Sequence, residues 1–173
     1  GVIRNSKGEW IAGYHNKIHA LTPLQVELQP IQQAFQLILP ENLLPVEVEM
    51  DATNVMHMLV TNYPTYKNLI SQCRRLMEQA MRKGEVVLKH NLRGGNMVAH
   101  ILSKEALTQT NINKLFVFVR PPNYVVDAYH KDQEGFCYVR NISTSVCCKL
   151  ATLGNENARR SITVAQCDSN EDN

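Results

Sequence analysis

Apolar residues recur along this chain with two different periods, and the order in which the periods alternate fixes the class of fold. Val46-Glu-Val-Glu-Met50 alternates apolar and acidic residues, the two-residue period of a strand with one buried face. Leu24, Leu28, Ile31, Phe35 and Ile38 recur at helical spacing instead. Residues 1–13 predict a β-hairpin, with Asn5-Ser6-Lys7-Gly8 as its turn. Thr22-Pro23 opens the first helix: Thr22 caps it, Pro23 suits the first helical position, and Gln25 completes a capping box. Pro30 removes the amide that would bond Val26, which kinks the helix or costs about 3 kcal/mol. Further helices are predicted over 53–60, 65–83 and 97–107, and strands over 85–90 and 115–119. In the 65–83 helix Leu69, Cys73, Leu76 and Ala80 line one face, and Gly84 supplies the stop. Pro121-Pro122 ends the last strand, and one turn of helix is expected over 124–129. The result is a mixed α/β sheet flanked by helices.

Beyond about residue 131 the character changes. Residues 136–151 are mildly strand-like, and 155–173 are polar without a periodic apolar face, which predicts a disordered tail. Two regions follow: a domain over 1–128 and an extension over 129–173, largely disordered from about 152.

Composition narrows the function classes. A hydrophobic share of 44% is enough for a packed core and too high for a disordered chain. No apolar run reaches the eighteen residues that a membrane span needs. The five cysteines form no CxxC pair, so neither a zinc ribbon nor a disulfide framework is indicated. A reducing, intracellular setting is expected, cytoplasmic or nuclear rather than secreted, where the sequon at Asn141 has no role. The chain opens at Gly1 without an initiator Met or a leader, so a front segment is expected to be missing. No glycine-rich phosphate loop follows any strand. Between Lys67 and Lys104 eight basic residues face two acids, a net +6 that suits either a phosphate backbone or a solvated helix face.

Three residues stand where chemistry could occur. Asp51 ends an alternating strand, where α/β sheets present functional carboxylates, though it could equally cap the next helix. Glu27 lies early in the first helix, beside the apolar stripe, where a solvated acid is the simpler reading. His100 stands in the first turn of the helix after Asn96, where a structural role is the simpler reading.

Six strings, in order, carry a resemblance. Gly1-Val-Ile-Arg-Asn-Ser-Lys-Gly-Glu-Trp-Ile-Ala-Gly13 is similar to the second strand, turn and third strand of the plant ribonuclease-H-like (reverse-transcriptase-like, retroelement-related) family. Val26-Glu-Leu28 resembles its Ala-Glu-Leu motif, and Val46-Glu-Val-Glu-Met-Asp51 its strand ending in Thr-Asp-Ser. Asn68-Leu-Ile-Ser-Gln-Cys-Arg-Arg-Leu76 resembles its next helix. Lys89-His90, Arg93, Asn96 and Val98-Ala99 resemble His-x-x-Arg-x-x-Asn-x-x-Ala-Asp, and Phe116-Val-Phe-Val-Arg-Pro-Pro122 its closing segment.

The resemblance implies a ribonuclease-H-like fold whose first, central strand is missing. It also implies RNA–DNA hybrids as substrate, with four carboxylates holding two Mg2+ ions. Glu27 and Asp51 would be two of the four and the metal ligands. The first family acid precedes the start of this chain, and His100 stands at the position of the fourth. A histidine nitrogen suits magnesium poorly. Arg74, Arg75, Lys89, Arg93 and Asn96 are the residues expected on nucleic acid. The expected activity is therefore hybrid binding with weak or absent hydrolysis. The alternative is a non-catalytic retroelement-derived fragment or protein-interaction scaffold. The gap left by the central strand would be filled by residues 136–150 or by another part of the parent protein.

Overall fold

A computed structural model describes residues 1–61, 68–92, 94–135 and 143–155. The expected hairpin forms between β1 (Val2–Arg4) and β2 (Trp10–Asn16), which are antiparallel with Val2 opposite Gly13. Its turn closes as the side chains dictate: Asn5 Oδ1 accepts from the amides of Lys7 and Glu9, and Gly8 takes a φ of 78°. A third strand, β5 (Leu115–Phe118), lies antiparallel on the other edge of β2. The second sheet is separate and has two strands, β3 (Val46–Met50) and β4 (Val86–His90), parallel with Val46 opposite Val86.

Helices cover these sheets. The α1 helix (Pro23–Ile38) starts with the capping box that the sequence specifies, Thr22 and Gln25 each bonding the other's backbone. It runs unbroken through Pro30, and Leu28, Ile31, Phe35 and Ile38 are buried along it. Burial of those four side chains, at about 1.5–3 kcal/mol each, outweighs the cost of the missing proline amide. The Tyr14 hydroxyl further ties the helix to β2 by donating to the Pro30 carbonyl at 2.8 Å. Against α1 pack α2 (Thr53–Val60) and α3 (Asn68–Lys83), which close the main core together with Met50. In α3 the fully buried stripe is Ile70, Cys73, Met77 and Ala80, with Leu69 and Leu76 only partly covered. The chain then forms α4 (Met97–Thr108), a 3-10 turn (Asn123–Val125) and α5 (Val126–Gln133), which is longer than the single turn expected.

The last element corrects the sequence reading. Within the strand-like stretch, residues 144–152 form a helix, α6 (Thr144–Thr152). Cys147 and Leu150, three apart, bury one helical face with Leu92 beside them, which strand periodicity could not do. This part of the stretch therefore does not fill a gap in the sheet; residues 136–142 and 156–173 lie outside the described residues. Within the described residues no helix is long and apolar enough to cross a membrane.

Candidate functional site

A cavity of about 410 Å3 lies between β1, β3, α1 and the start of α4. Glu27, Asp51, Asn96 and His100, four residues singled out from the sequence, all line it. Local folding explains how each arrives there. Glu27 stands on the first turns of α1, exposed, beside the buried Leu28. Asp51 follows Met50 at the carboxyl end of β3, one residue ahead of Ala52, the N-cap of α2, so it is not the cap. Asn96 is the N-cap of α4, and its carbonyl accepts the His100 amide at 3.1 Å. The loop leading to α4 is pinned by Asn91, whose amide donates to Glu49 Oε2 at 2.9 Å and to the Gly95 carbonyl at 3.3 Å. A Cβ at Gly95 would meet the Asn91 side-chain amide, so a larger residue there would have to displace that amide.

Sequence reasoning quoted His90 within a motif but assigned it no role. Its imidazole is buried at 4% exposure and hydrogen-bonds the Asp51 backbone. The imidazole Nδ1 lies 3.2 Å from Asn155 Nδ2. Since the ring donates to a carbonyl through one nitrogen, the other accepts from the Asn155 amide. Burial lowers the His90 pKa, and the Asp51 charge opposes that shift. The backbone completes the clasp: the His90 amide donates to the Leu153 carbonyl at 2.8 Å, and Gly154, at a φ of 82°, packs on Lys89. Residues 153–155 thus hold the end of β4 against Asp51.

The basic residues have separate fates. The Arg74 guanidinium donates to the Met58 and Thr61 carbonyls at the end of α2, through Nε at 3.1 Å to Met58. Lys89 pairs with Glu47 at 2.7 Å across the parallel sheet. Arg75 is exposed on α3. Arg93 lies outside the described residues.

Metal chemistry can be tested on the donor set. Four carboxylate residues, Glu27, Glu47, Glu49 and Asp51, and His100 line the cavity, yet among the described residues no three His, Cys, Asp or Glu side chains converge closely enough to hold an ion. A magnesium pair needs a convergent set of oxygen ligands. The arrangement of the described residues does not fit it.

A mixed α/β fold with helices on its sheets, and a cavity lined by carboxylates where β3 ends, is compatible with the ribonuclease-H-like class. The family comparison agrees: the reverse-transcriptase-like family model matches residues 1–106, and the chain belongs to that family. That span includes Glu27, Asp51, Asn96 and His100. Comparison with curated proteins and with solved structures finds no significant match. Membership gives the chain a nucleic-acid-related function, in a family that generally uses Mg2+.

Proposed function

We propose that this domain binds RNA–DNA hybrids and hydrolyses them weakly or not at all. The observation that carries this reading is the cavity itself: Glu27 and Asp51 line it, while His100 brings a nitrogen in place of an acid. A histidine in place of an acid lowers the negative charge available to hold divalent cations. Asn96 at the cavity and the exposed Arg75 offer donors to sugar and phosphate, which suffice to recognise a hybrid by shape.

The test is incubation of a labelled RNA–DNA hybrid with the chain and with its His100→Asp variant, in magnesium and in manganese. Expected is salt-dependent binding by both, preferred over duplex DNA, and no cleavage by the unaltered chain. Cleavage by the unaltered chain that is lost on Asp51→Asn refutes the non-hydrolytic reading. Binding no tighter to the hybrid than to duplex DNA refutes the hybrid reading.

A further inference from the structure

Strand β5 pairs with β2 along one edge and, among the described residues, with no strand along the other. Hydrogen-bond alternation determines which groups that outer edge presents. The Tyr14 amide donates to the Gly1 carbonyl at 2.9 Å, so Tyr14 turns its main chain to β1, and its neighbours Gly13 and His15 turn theirs to β5. Their partners there, Phe118 and Phe116, therefore face β2. Two further bonds agree. The Phe118 carbonyl accepts the Trp10 indole at 3.0 Å, and the Lys17 carbonyl, of the same parity as His15, accepts the Asn113 amide at 2.7 Å. Leu115 and Val117 thus turn their N–H and C=O groups outward.

This edge is held in place and is apolar along its middle. On one face Phe116 and Phe118 stack on the buried His15 ring. On the other face Val117 is 46% exposed, and Val119 just beyond the strand is 79% exposed. Proteins commonly blunt an open edge with a charge or a proline within the strand. Between Leu115 and Val119 neither occurs. The cations stand at the two ends instead. Lys114 and Arg120 are exposed, and neither is ion-paired among the described residues. No acid occurs between Glu105 and Asp127 to neutralise them along the chain.

The charges select the occupant. Two copies of this chain, paired antiparallel about Val117, would set Lys114 against Arg120 at both ends. Like charges directly opposite destabilise such a pair. A strand with acids at its ends and apolar residues between them meets attraction at the same two points. We infer that the outer edge of β5 takes an extended segment of another protein, apolar at alternate positions and acidic at both ends. The main chain of that segment bonds Leu115 and Val117, as in β-strand addition. Its apolar side chains cover Val117 and Val119, and its acids fall opposite Lys114 and Arg120. None of β5 lines the cavity, so the inference goes beyond the nucleic-acid reading and does not depend on it.

The test is amide hydrogen exchange by NMR, with the acetylated peptide Glu-Val-Thr-Val-Thr-Val-Glu added at millimolar concentration. Centred on Val117, its valines fall on the Val117 face and its two acids opposite the two cations. Expected is about threefold added protection of the Val117 amide, the gain that mass action gives at twice the dissociation constant. The Phe116 and Phe118 amides, already bonded to β2, should change little. The same peptide with lysine at both ends should give no gain. Val117→Pro removes an outward amide only, so it should keep Phe116 and Phe118 protected and abolish the peptide's effect, read at the Leu115 amide. No gain at Val117 with the acidic peptide overturns the inference, and so does an equal gain with the lysine-ended one. Protection of Val117 in the unaltered chain alone overturns it too: if independent of concentration, the chain covers its own edge, and if rising with concentration, a second copy does. Protection of Val117 by an added RNA–DNA hybrid would make the edge a nucleic-acid contact and would likewise overturn it.

Discussion

Replacing Asn155 by Ala removes the donor that faces His90 Nδ1, and the consequence can be worked from the geometry. His90 is 4% exposed and Asn155 2%, so no bulk water replaces the lost bond in place. A buried acceptor left without its partner costs about 1–3 kcal/mol. For a chain of this size that lowers Tm by roughly 2–4 °C per kcal/mol. A double-mutant cycle with His90→Ala isolates the pair, with an expected coupling of about 1 kcal/mol. The coupling also has a pH signature. Burial lowers the His90 pKa in the folded state, so the unfolded chain binds the proton more readily. Stability is therefore fully present above the unfolded histidine value, about 6.5, and is lost as pH falls through it toward the folded value. Once protonated, the ring has no acceptor nitrogen, and the coupling to Asn155 should vanish in acid. Urea unfolding of the four proteins at pH 7.5 and in mild acid measures both effects. Zero coupling at pH 7.5, with all four proteins folded, would refute the assignment of the Asn155 amide as donor to His90.

Pro30→Ala should stabilise the protein by about 1–3 kcal/mol, because it restores the amide facing the Val26 carbonyl while the Tyr14 bond to residue 30 is kept; denaturant midpoints read this directly. Phe35→Ala, at a fully buried position, should cost about 3–5 kcal/mol in the same assay. Arg74→Ala should lower stability by about 1–3 kcal/mol, since it uncovers the Met58 and Thr61 carbonyls, and a neutral result in thermal unfolding would argue against that clamp. Arg75→Ala, on an exposed turn of α3, should leave stability unchanged and weaken hybrid binding, reducing the slope of log affinity against log salt by up to about 0.9.

What the sequence could reveal were features that depend on neighbours along the chain. The hairpin turn at Asn5–Gly8, the Thr22–Gln25 capping box and the stripe through Leu28, Ile31, Phe35 and Ile38 are all local, and all formed. Glu27, Asp51, Asn96 and His100 were brought into one cavity because their motifs sit at element ends. Other features depend on distant partners. Pro30 was expected to kink or weaken α1, yet tertiary burial carried the helix through it. In α3 the apolar side chains spread over more than one face, so the buried stripe fell on Ile70 and Met77 rather than on Leu69 and Leu76. The β-branched and hydroxyl side chains before Leu150 imitate a strand, and only the pairing of Cys147 with Leu150 distinguishes a helix. The roles of Arg74 and His90 were hidden because their partners, Met58 and Asn155, lie 16 and 65 residues away.

The family match stops at residue 106, but the folding unit does not. On β5, beyond that boundary, Phe116 and Phe118 stack on the buried imidazole of His15, with ring centroids 5.3 and 5.2 Å away. The Trp10 indole donates to the Phe118 carbonyl at 3.0 Å, and the Tyr129 hydroxyl accepts the Trp10 amide at 2.9 Å. A polypeptide cut at residue 106 would strip β2 of β5, one of its two neighbouring strands, and leave an aromatic-rich edge exposed to other chains. The packed unit thus extends beyond the matched residues, and a chain ended at residue 106 would be expected to aggregate.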